Sequence, residues 1–176
     1  MIYYDDGSVI IRDMKKEDIG AIHDENLSNG WHSDIKVYKN YFKEQKSKHR
    51  YVFIAECKGR IAGYATLRPQ ATTGPFANRG ISEISNFNVY TEYRRQGIGS
   101  KILVCAEKVA SEMSKTVSLS VGLHPGYGAA QRLYVKRGYI PDGSGVWYNG
   151  CLLEPYASCC NDDHLLLYFS KQLREE

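Results

Sequence analysis

No apolar run in the chain approaches the roughly 20 residues that a bilayer-spanning helix requires, so a helical membrane protein is not expected. The opening stretch MIYYDDGSV lacks both the basic start and the apolar middle of a secretory leader. Cysteine is scarce: there are five, an odd number, and they are not spaced as a small disulfide framework. That pattern points to a reducing, cytoplasmic setting. Charge of one sign is also lacking. The net charge of +3 is too small to imply nucleic acid. The densest basic stretch, KEQKSKHR at 43–50, reads as a solvated helix end. Repeats, low-complexity linkers and breaks in composition are absent, so the 176 residues are expected to form one domain, 1–176. Cys151, Cys159, Cys160 and His164 cluster in the tail, but their spacing matches no standard zinc knuckle. No metal is expected, and the thiols read as buried or half-buried.

What is present is a core-forming chain, with 43% hydrophobic and 24% charged residues. SVIIRDM (8–14) reads as a first strand, with Asp13 offered as the N-cap of a helix over 15–28. SNGWHSD (28–34) is a turn, and Ser33 or Asp34 would cap a second helix over 35–46. Residues 51–69 read as two strands joined at Lys58-Gly59. Residues 70–80 are turn-rich and read as mobile. ISEISNFNVY (81–90) alternates as a strand. Ile98, Ile102, Leu103, Ala106, Val109, Ala110 and Met113 then mark one face of a long helix. TVSLSVGL (116–123) is another strand, 126–139 contain a short helix ended by Gly138, and the tail offers strands at 145–150 and 164–171.

The chemistry concentrates in EYRRQGIGSK, 92–101. A strand, a glycine-spaced turn and a helix start form an anion trap, because the first helical N–H groups lack intrahelical partners and sit at the positive end of the helix dipole. Gly97 and Gly99 admit close backbone approach, and Arg94 and Arg95 add positive charge. The stretch fails the Walker pattern G-x-x-x-x-G-K-[ST]. It also fails the dinucleotide fingerprint, which would need a glycine where Ile102 stands. A nucleotide-dependent transferase is therefore disfavoured.

Arg94-Arg95-Gln96-Gly97-Ile98-Gly99 resembles R/Q-x-x-G-x-G/A, the acyl-coenzyme A pyrophosphate signature of the GNAT superfamily of N-acetyltransferases. AAQRLYVKRGY is similar to that family's second signature, matched here by Ala130, Leu133, Tyr134, Lys136, Gly138 and Tyr139. The resemblance extends over most of 8–170. It implies an α/β fold with a mixed, mostly antiparallel central sheet flanked by helices, in which strands 81–89 and 116–121 splay to form the acyl-CoA cleft. It implies acetyl-CoA as co-substrate, without a metal. The cofactor would be held by Phe87, Asn88, Val89, Arg94, Arg95, Gln96, Gly97, Ile98, Gly99 and Ser100, with Tyr127 and Tyr134. Tyr127 departs from the family pattern, standing where many relatives carry an asparagine that serves the pantetheine arm and the helix start.

The resemblance also implies roles. Tyr134 would donate a proton to the departing sulfur, with core packing by its ring as the other reading. Glu83, spaced from Gly97 like the base of some histone-type relatives, would take the amine proton directly or through water. Its other reading is a strand-end carboxylate facing solvent. For the acceptor, Trp31, Glu154, Asp162 and Asp163 are candidates, with His32, Tyr148 and Tyr156 as further cleft-wall residues. The expected reaction is acetyl transfer to a primary amine of a small molecule, with a homodimer left open and neither nucleic acid nor membrane as partner. Two alternatives stay open: a non-catalytic acyl-CoA sensor, and an acetyltransferase acting on protein lysines or N-termini.

Overall fold

The computed structural model describes residues 1–174. Nine strands and four helices follow one another as β1 (Ile2–Asp5), β2 (Ile10–Asp13), α1 (Asp18–Ser28), α2 (Ile35–Lys46), β3 (Tyr51–Cys57), β4 (Arg60–Arg68), β5 (Ser82–Val89), α3 (Ile98–Ser111), β6 (Thr116–Gly122), α4 (Gly128–Lys136), β7 (Ile140–Tyr148), β8 (Cys151–Leu152) and β9 (Leu165–Gln172). The fold is the mixed, mostly antiparallel α/β type that the sequence implied. Its contacts divide into two compact units. Unit 1 is Met1–Arg68 with Ile84–Val109, and unit 2 is Pro69–Glu83 with the chain from Ala110 onward.

In unit 1 the strands are ordered β1-β2-β3-β4-β5. The first three pairings are antiparallel, including the long β3–β4 hairpin with Val52 opposite Thr66. Contacts from Ala62 to Tyr90, Gly63 to Asn88 and Thr66 to Ser85 run in opposite senses, so β5 is antiparallel to β4. The hairpin turns at Lys58 and Gly59, both with positive φ (50° and 77°), the twist that two-residue hairpins need. Helices α1 and α2 pack against each other and onto β4 and β3. Their shared core contains Met14, Ile22, Tyr38, Tyr41, Val52, Ile54, Ile61, Tyr64 and Tyr90. Unit 2 orders its strands β6-β9-β7-β8, with β9 antiparallel to both β6 and β7. Ala71, Phe76 and Tyr168 form its small cluster, with Trp147 and Ile81 against it.

Several local expectations change. Strand β1 was not anticipated; it pairs with β2 and brings the amino terminus and the Tyr3 hydroxyl onto Asp13. Asp13 is thereby occupied and caps nothing. Helix α1 begins only at Asp18, whose carboxylate accepts the Lys15 N–H and pairs with buried Arg12. At α2, Asp34 and not Ser33 is the N-cap, accepting from the Lys36 N–H. The basic stretch at 43–50 is not wholly solvated: Arg50 is 2% exposed, paired with Glu44, bonded to Thr66 and stacked over Tyr41. Residues 70–80 are anchored, because Ala71 exchanges backbone bonds with Ile81 and Asn78 and Phe76 packs on Tyr168. Met113 lies past the end of α3 and is partly exposed. Cys151, Cys159 and Cys160 are exposed rather than buried, while Cys105 is buried and Cys57 half-buried.

Candidate active site

In unit 1 the site is built on β5. Its alternation is broken at Asn86, which takes φ 50° within the strand and turns the following peptide groups relative to a regular ladder. Asn88 is fixed from below. Its Nδ2 donates to the Tyr64 hydroxyl at 3.2 Å, and Tyr64 also receives Asn26 Nδ2 at 3.4 Å. Asn26 donates in addition to Tyr38 at 2.6 Å, and Tyr38 meets Ser33, which meets His23. Burial pushes the Tyr64 phenol well above its usual range, so it stays a neutral hydroxyl. Gly63 is required beside this point, since a Cβ there would stand 2.4 Å from the Asn88 carbonyl oxygen.

Beyond Val89 the chain makes a short 3-10 turn over Thr91–Tyr93 and enters the glycine turn. Arg94 folds back, its Nε donating to the Val89 carbonyl at 3.1 Å and its guanidinium lying 5.8 Å from the Trp31 ring. Gln96 donates to the Glu92 carbonyl at 2.9 Å. Arg95 is held at φ 62°, a conformation that non-glycine residues adopt at a cost and that clusters at functional sites. Gly97 follows at φ 79°, and a Cβ there would meet nothing within 4 Å. The turn thus presents an open face. Ile98 is buried and locks the first turn of α3 into the core, while Gly99 and Ser100 are half-buried beside it. The N–H groups opening α3, an uncovered glycine and exposed Arg95 together fit a diphosphate. Lys101 is already engaged, 2.6 Å from Asp6.

The loop before α2 meets this region within the same unit. Trp31 stacks on Tyr90 at 5.5 Å, and Asn29 accepts the Thr91 N–H at 3.2 Å. His32 is exposed.

Unit 2 holds the remaining candidates. Glu83, the last residue of unit 2 before β5 continues in unit 1, is 6% exposed, so it is not a solvent-facing carboxylate. Its charge, after burial, helps push the Tyr168 phenol upward. Tyr134 on α4 is buried, its ring 5.9 Å from that of Tyr139. Burial first, and the nearby Tyr127 second, hold its hydroxyl far above the ordinary tyrosine value. Tyr127 stands before α4 but makes no side-chain cap. Its ring lies against Gly122, where a Cβ would come within 2.3 Å, and its hydroxyl donates to Asp163 at 2.9 Å. Burial and Asp163 raise Tyr127 to about 12. Asp163 is also 2.9 Å from His124 Nε2, while His124 Nδ1 accepts the Gly126 N–H. Bonds from His124 and Tyr127 hold the Asp163 carboxyl below the usual range.

Asp162 accepts the His164 N–H and stands 3.5 Å from the Tyr148 hydroxyl. Glu154 and Tyr156 are exposed, Tyr156 completely so. The acceptor candidates therefore divide, with Trp31 in unit 1 and Glu154, Asp162 and Asp163 in unit 2. No cluster of three or more potential metal ligands occurs among the described residues.

The model of the acetyltransferase (GNAT) family matches residues 17–139, more than half of the chain. The chain belongs to the GNAT family. It is an acetyl-CoA-dependent acyltransferase of that family. Known GNAT structures share its fold across nearly the whole length. YncA of Salmonella typhimurium, solved with its cofactor acetyl-CoA, is 18% identical with a TM-score of 0.71 over 97% of this chain and 96% of its own. An acetyltransferase that modifies the N-terminal serine of ribosomal protein L7/L12, also from Salmonella typhimurium, is 10% identical with a TM-score of 0.73 over 98% and 99%. An N-acetyltransferase from Staphylococcus aureus Mu50 is 19% identical, with a TM-score of 0.71 over 96% and 100%. At these identities the likeness is one of GNAT fold. No curated protein matches the chain in sequence.

Asn26, Tyr38, Tyr64 and Gly63, which support β5 at the candidate site, were not singled out in the sequence. One signal was available: Asn26 falls one helical turn after buried Ile22, a polar residue on an apolar face.

Proposed function

We propose that this protein transfers the acetyl group of acetyl-CoA directly to a primary amine of a small molecule. The observation that carries the proposal is the turn 94–100, where Arg95 and Gly97 hold positive φ ahead of α3 and leave an open, cationic face suited to a diphosphate. Arg95, Gln96, Gly97, Ile98, Gly99 and Ser100 would hold the cofactor diphosphate. Arg94 would shape the turn through its bond to Val89. Phe87, Asn88 and Val89 would supply main-chain contacts to the pantetheine arm, and Tyr127 would serve in place of the family's asparagine. The cofactor supplies an activated thioester; the chain's own groups manage protons and charge.

A lysine-like amine with a pKa near 10.4 costs about 4–5 kcal/mol to neutralise at pH 7. Glu83, removed from solvent, is proposed as the base that takes this proton, directly or through water. A main-chain N–H near the Asn86 irregularity would stabilise the developing oxyanion, a contribution of about 3–4 kcal/mol for one donor. Tyr134, kept protonated by burial, would donate to the leaving thiolate. The small-molecule reading draws support from the 153–164 loop, which Asp163 fastens to His124 and Tyr127. Trp31, Glu154, Asp162 and Asp163 remain the proposed acceptor contacts, Asp163 through its place in that fastening.

Thiol release from acetyl-CoA against polyamines, amino acids, aminoglycosides and peptides tests the proposal. Turnover of one or more small amines is expected. Turnover of peptides alone would replace it with protein acetylation, as in the L7/L12-modifying relative of this fold. Coenzyme A binding without any turnover would make the protein a sensor module.

A further inference from the structure

Loop 29–34, which carries Trp31, is tied to β5 along two separate paths, both within unit 1. The first path is short. Asn29 accepts the Thr91 N–H at 3.2 Å and Trp31 stacks on Tyr90 at 5.5 Å, both just past the end of β5. The second path runs through the core. Ser33 meets the Tyr38 hydroxyl at 3.1 Å, and Asn26 Nδ2 donates to Tyr38 at 2.6 Å and to Tyr64 at 3.4 Å. Asn88 Nδ2, on β5, donates to Tyr64 at 3.2 Å. The Tyr64 hydroxyl is where the chain of bonds from the loop meets the strand.

Packing alone does not require this second path. Tyr64 is 4% exposed and Asn26 3% exposed, and a buried hydroxyl or amide costs free energy unless it is bonded. Apolar side chains of the same shape would fill the space with little loss of stability. The rings pack whether or not the hydroxyls are there: the Tyr64 ring centre lies 6.3 Å from that of Tyr38 and 6.4 Å from that of Tyr90. What the bonds add is direction. A loop held to the strand at Thr91 and Tyr90 alone is free to pivot about those contacts. The second tie enters through Ser33, two residues beyond Trp31, and removes that freedom. A buried hydrogen-bond network specifies one arrangement where apolar contact permits several.

We propose that Tyr64 is a positioning residue for the acetyl transfer, its hydroxyl setting the acceptor-side loop against the cofactor strand. Asn26 and Ser33 complete the tie. Tyr64 acts at one remove: through Asn88 on the strand proposed to hold the pantetheine arm, and through Ser33 on the loop whose Trp31 is a proposed acceptor contact. The inference therefore rests on the proposed reaction. Rates are steep in the separation of two reactants, since a misplacement of about 1 Å costs about 100-fold. Loss of the hydroxyl should thus appear in kcat and not in cofactor affinity, which the main chain of β5 and the turn 94–100 would supply.

Tyr64→Phe keeps the ring and removes the tie. In this variant kcat should fall about 10- to 100-fold while the Kd for coenzyme A, by calorimetry, stays within about twofold. Ser33→Ala should also lower kcat, and the double variant should be no slower than Tyr64→Phe alone, because both substitutions cut one path. An unchanged kcat in Tyr64→Phe, losses that multiply in the double variant, or a Kd that rises as far as kcat falls would each overturn the positioning role. The tie itself is read without turnover, from the side-chain amide resonance of Asn88 in the isotope-labelled full chain. Ser33→Ala should shift that resonance when Tyr64 is present and leave it in place when Tyr64 is replaced by Phe. An equal response in both backgrounds, or none in either, overturns the tie. If Tyr64→Phe loses its cooperative melt, Ser33→Ala alone decides, by lowering kcat and moving the Asn88 resonance or by doing neither. A chain inactive toward every amine would overturn the proposed reaction and the positioning role together, and the Asn88 resonance would still judge the tie.

Discussion

Tyr134 and Glu83 carry the proton transfers of the proposed reaction, and each allows a clean substitution. Tyr134→Phe keeps the buried ring and removes the donor. It should lower kcat about 100-fold, within the usual range for a general acid, with little change in the KM for acetyl-CoA. Full activity would reject the acid role and leave Tyr134 as packing. Glu83→Gln should flatten the low-pH limb of the kcat/KM profile, because that limb reports the proton the base must shed. An unchanged profile would remove Glu83 from the mechanism. Both residues were singled out in the sequence because each stands at a fixed distance from a recognisable signature. Asp163 was legible as a residue but not in its use. Its partners His124 and Tyr127 lie 39 and 36 positions away, and no local spacing shows that they consume its acceptor oxygen. The Asn26–Tyr64–Asn88 support failed to show for the same reason: it joins a helix and two strands through contacts 38 and 24 positions apart.

At the scale of elements, β4 and β5 form one support for the proposed thioester end of the site. Gly63→Ala would place a methyl 2.4 Å from the Asn88 carbonyl oxygen, which is backbone and cannot swing aside. The substitution should cost about 1–3 kcal/mol of stability by urea titration. It should also raise the KM for acetyl-CoA, since Phe87, Asn88 and Val89 are displaced with it. A variant with unchanged KM would show that β5 does not position the cofactor arm. Elements whose ends are set by neighbours in the chain were readable: the cap of α2, narrowed to Ser33 or Asp34 and made by Asp34, and Lys58-Gly59 turning the β3–β4 hairpin are local chemistry. Helix α1 was misplaced at its start because Asp13 was claimed by β1 and the amino terminus before it, and the first residue of that strand, Ile2, is exposed and leaves little apolar pattern to read. The irregularity at Asn86 was hidden too, because the alternation of ISEISNFNVY looks like an uninterrupted strand.

At the scale of the whole molecule, buried phenols set an alkaline limit. Burial raises Tyr64, Tyr90 and Tyr134 above the ordinary value, and burial with Asp163 raises Tyr127 to about 12. Below about pH 10 these groups are neutral in both the folded and the unfolded chain, and their contribution is fully present. Above it the unfolded chain loses protons that the folded chain retains, so stability falls until pH passes the folded values. The melting temperature should hold steady to about pH 9 and then decline toward about pH 11. A melting temperature constant across that range would mean that these hydroxyls ionise as readily in the folded protein as in water.

The most direct test of the account is a crystal structure of the acetyl-CoA complex. The diphosphate should lie on the main-chain N–H groups of the turn from Gln96 to Ser100, against the uncovered face of Gly97. A diphosphate bound anywhere else, with that turn left in water, would contradict it.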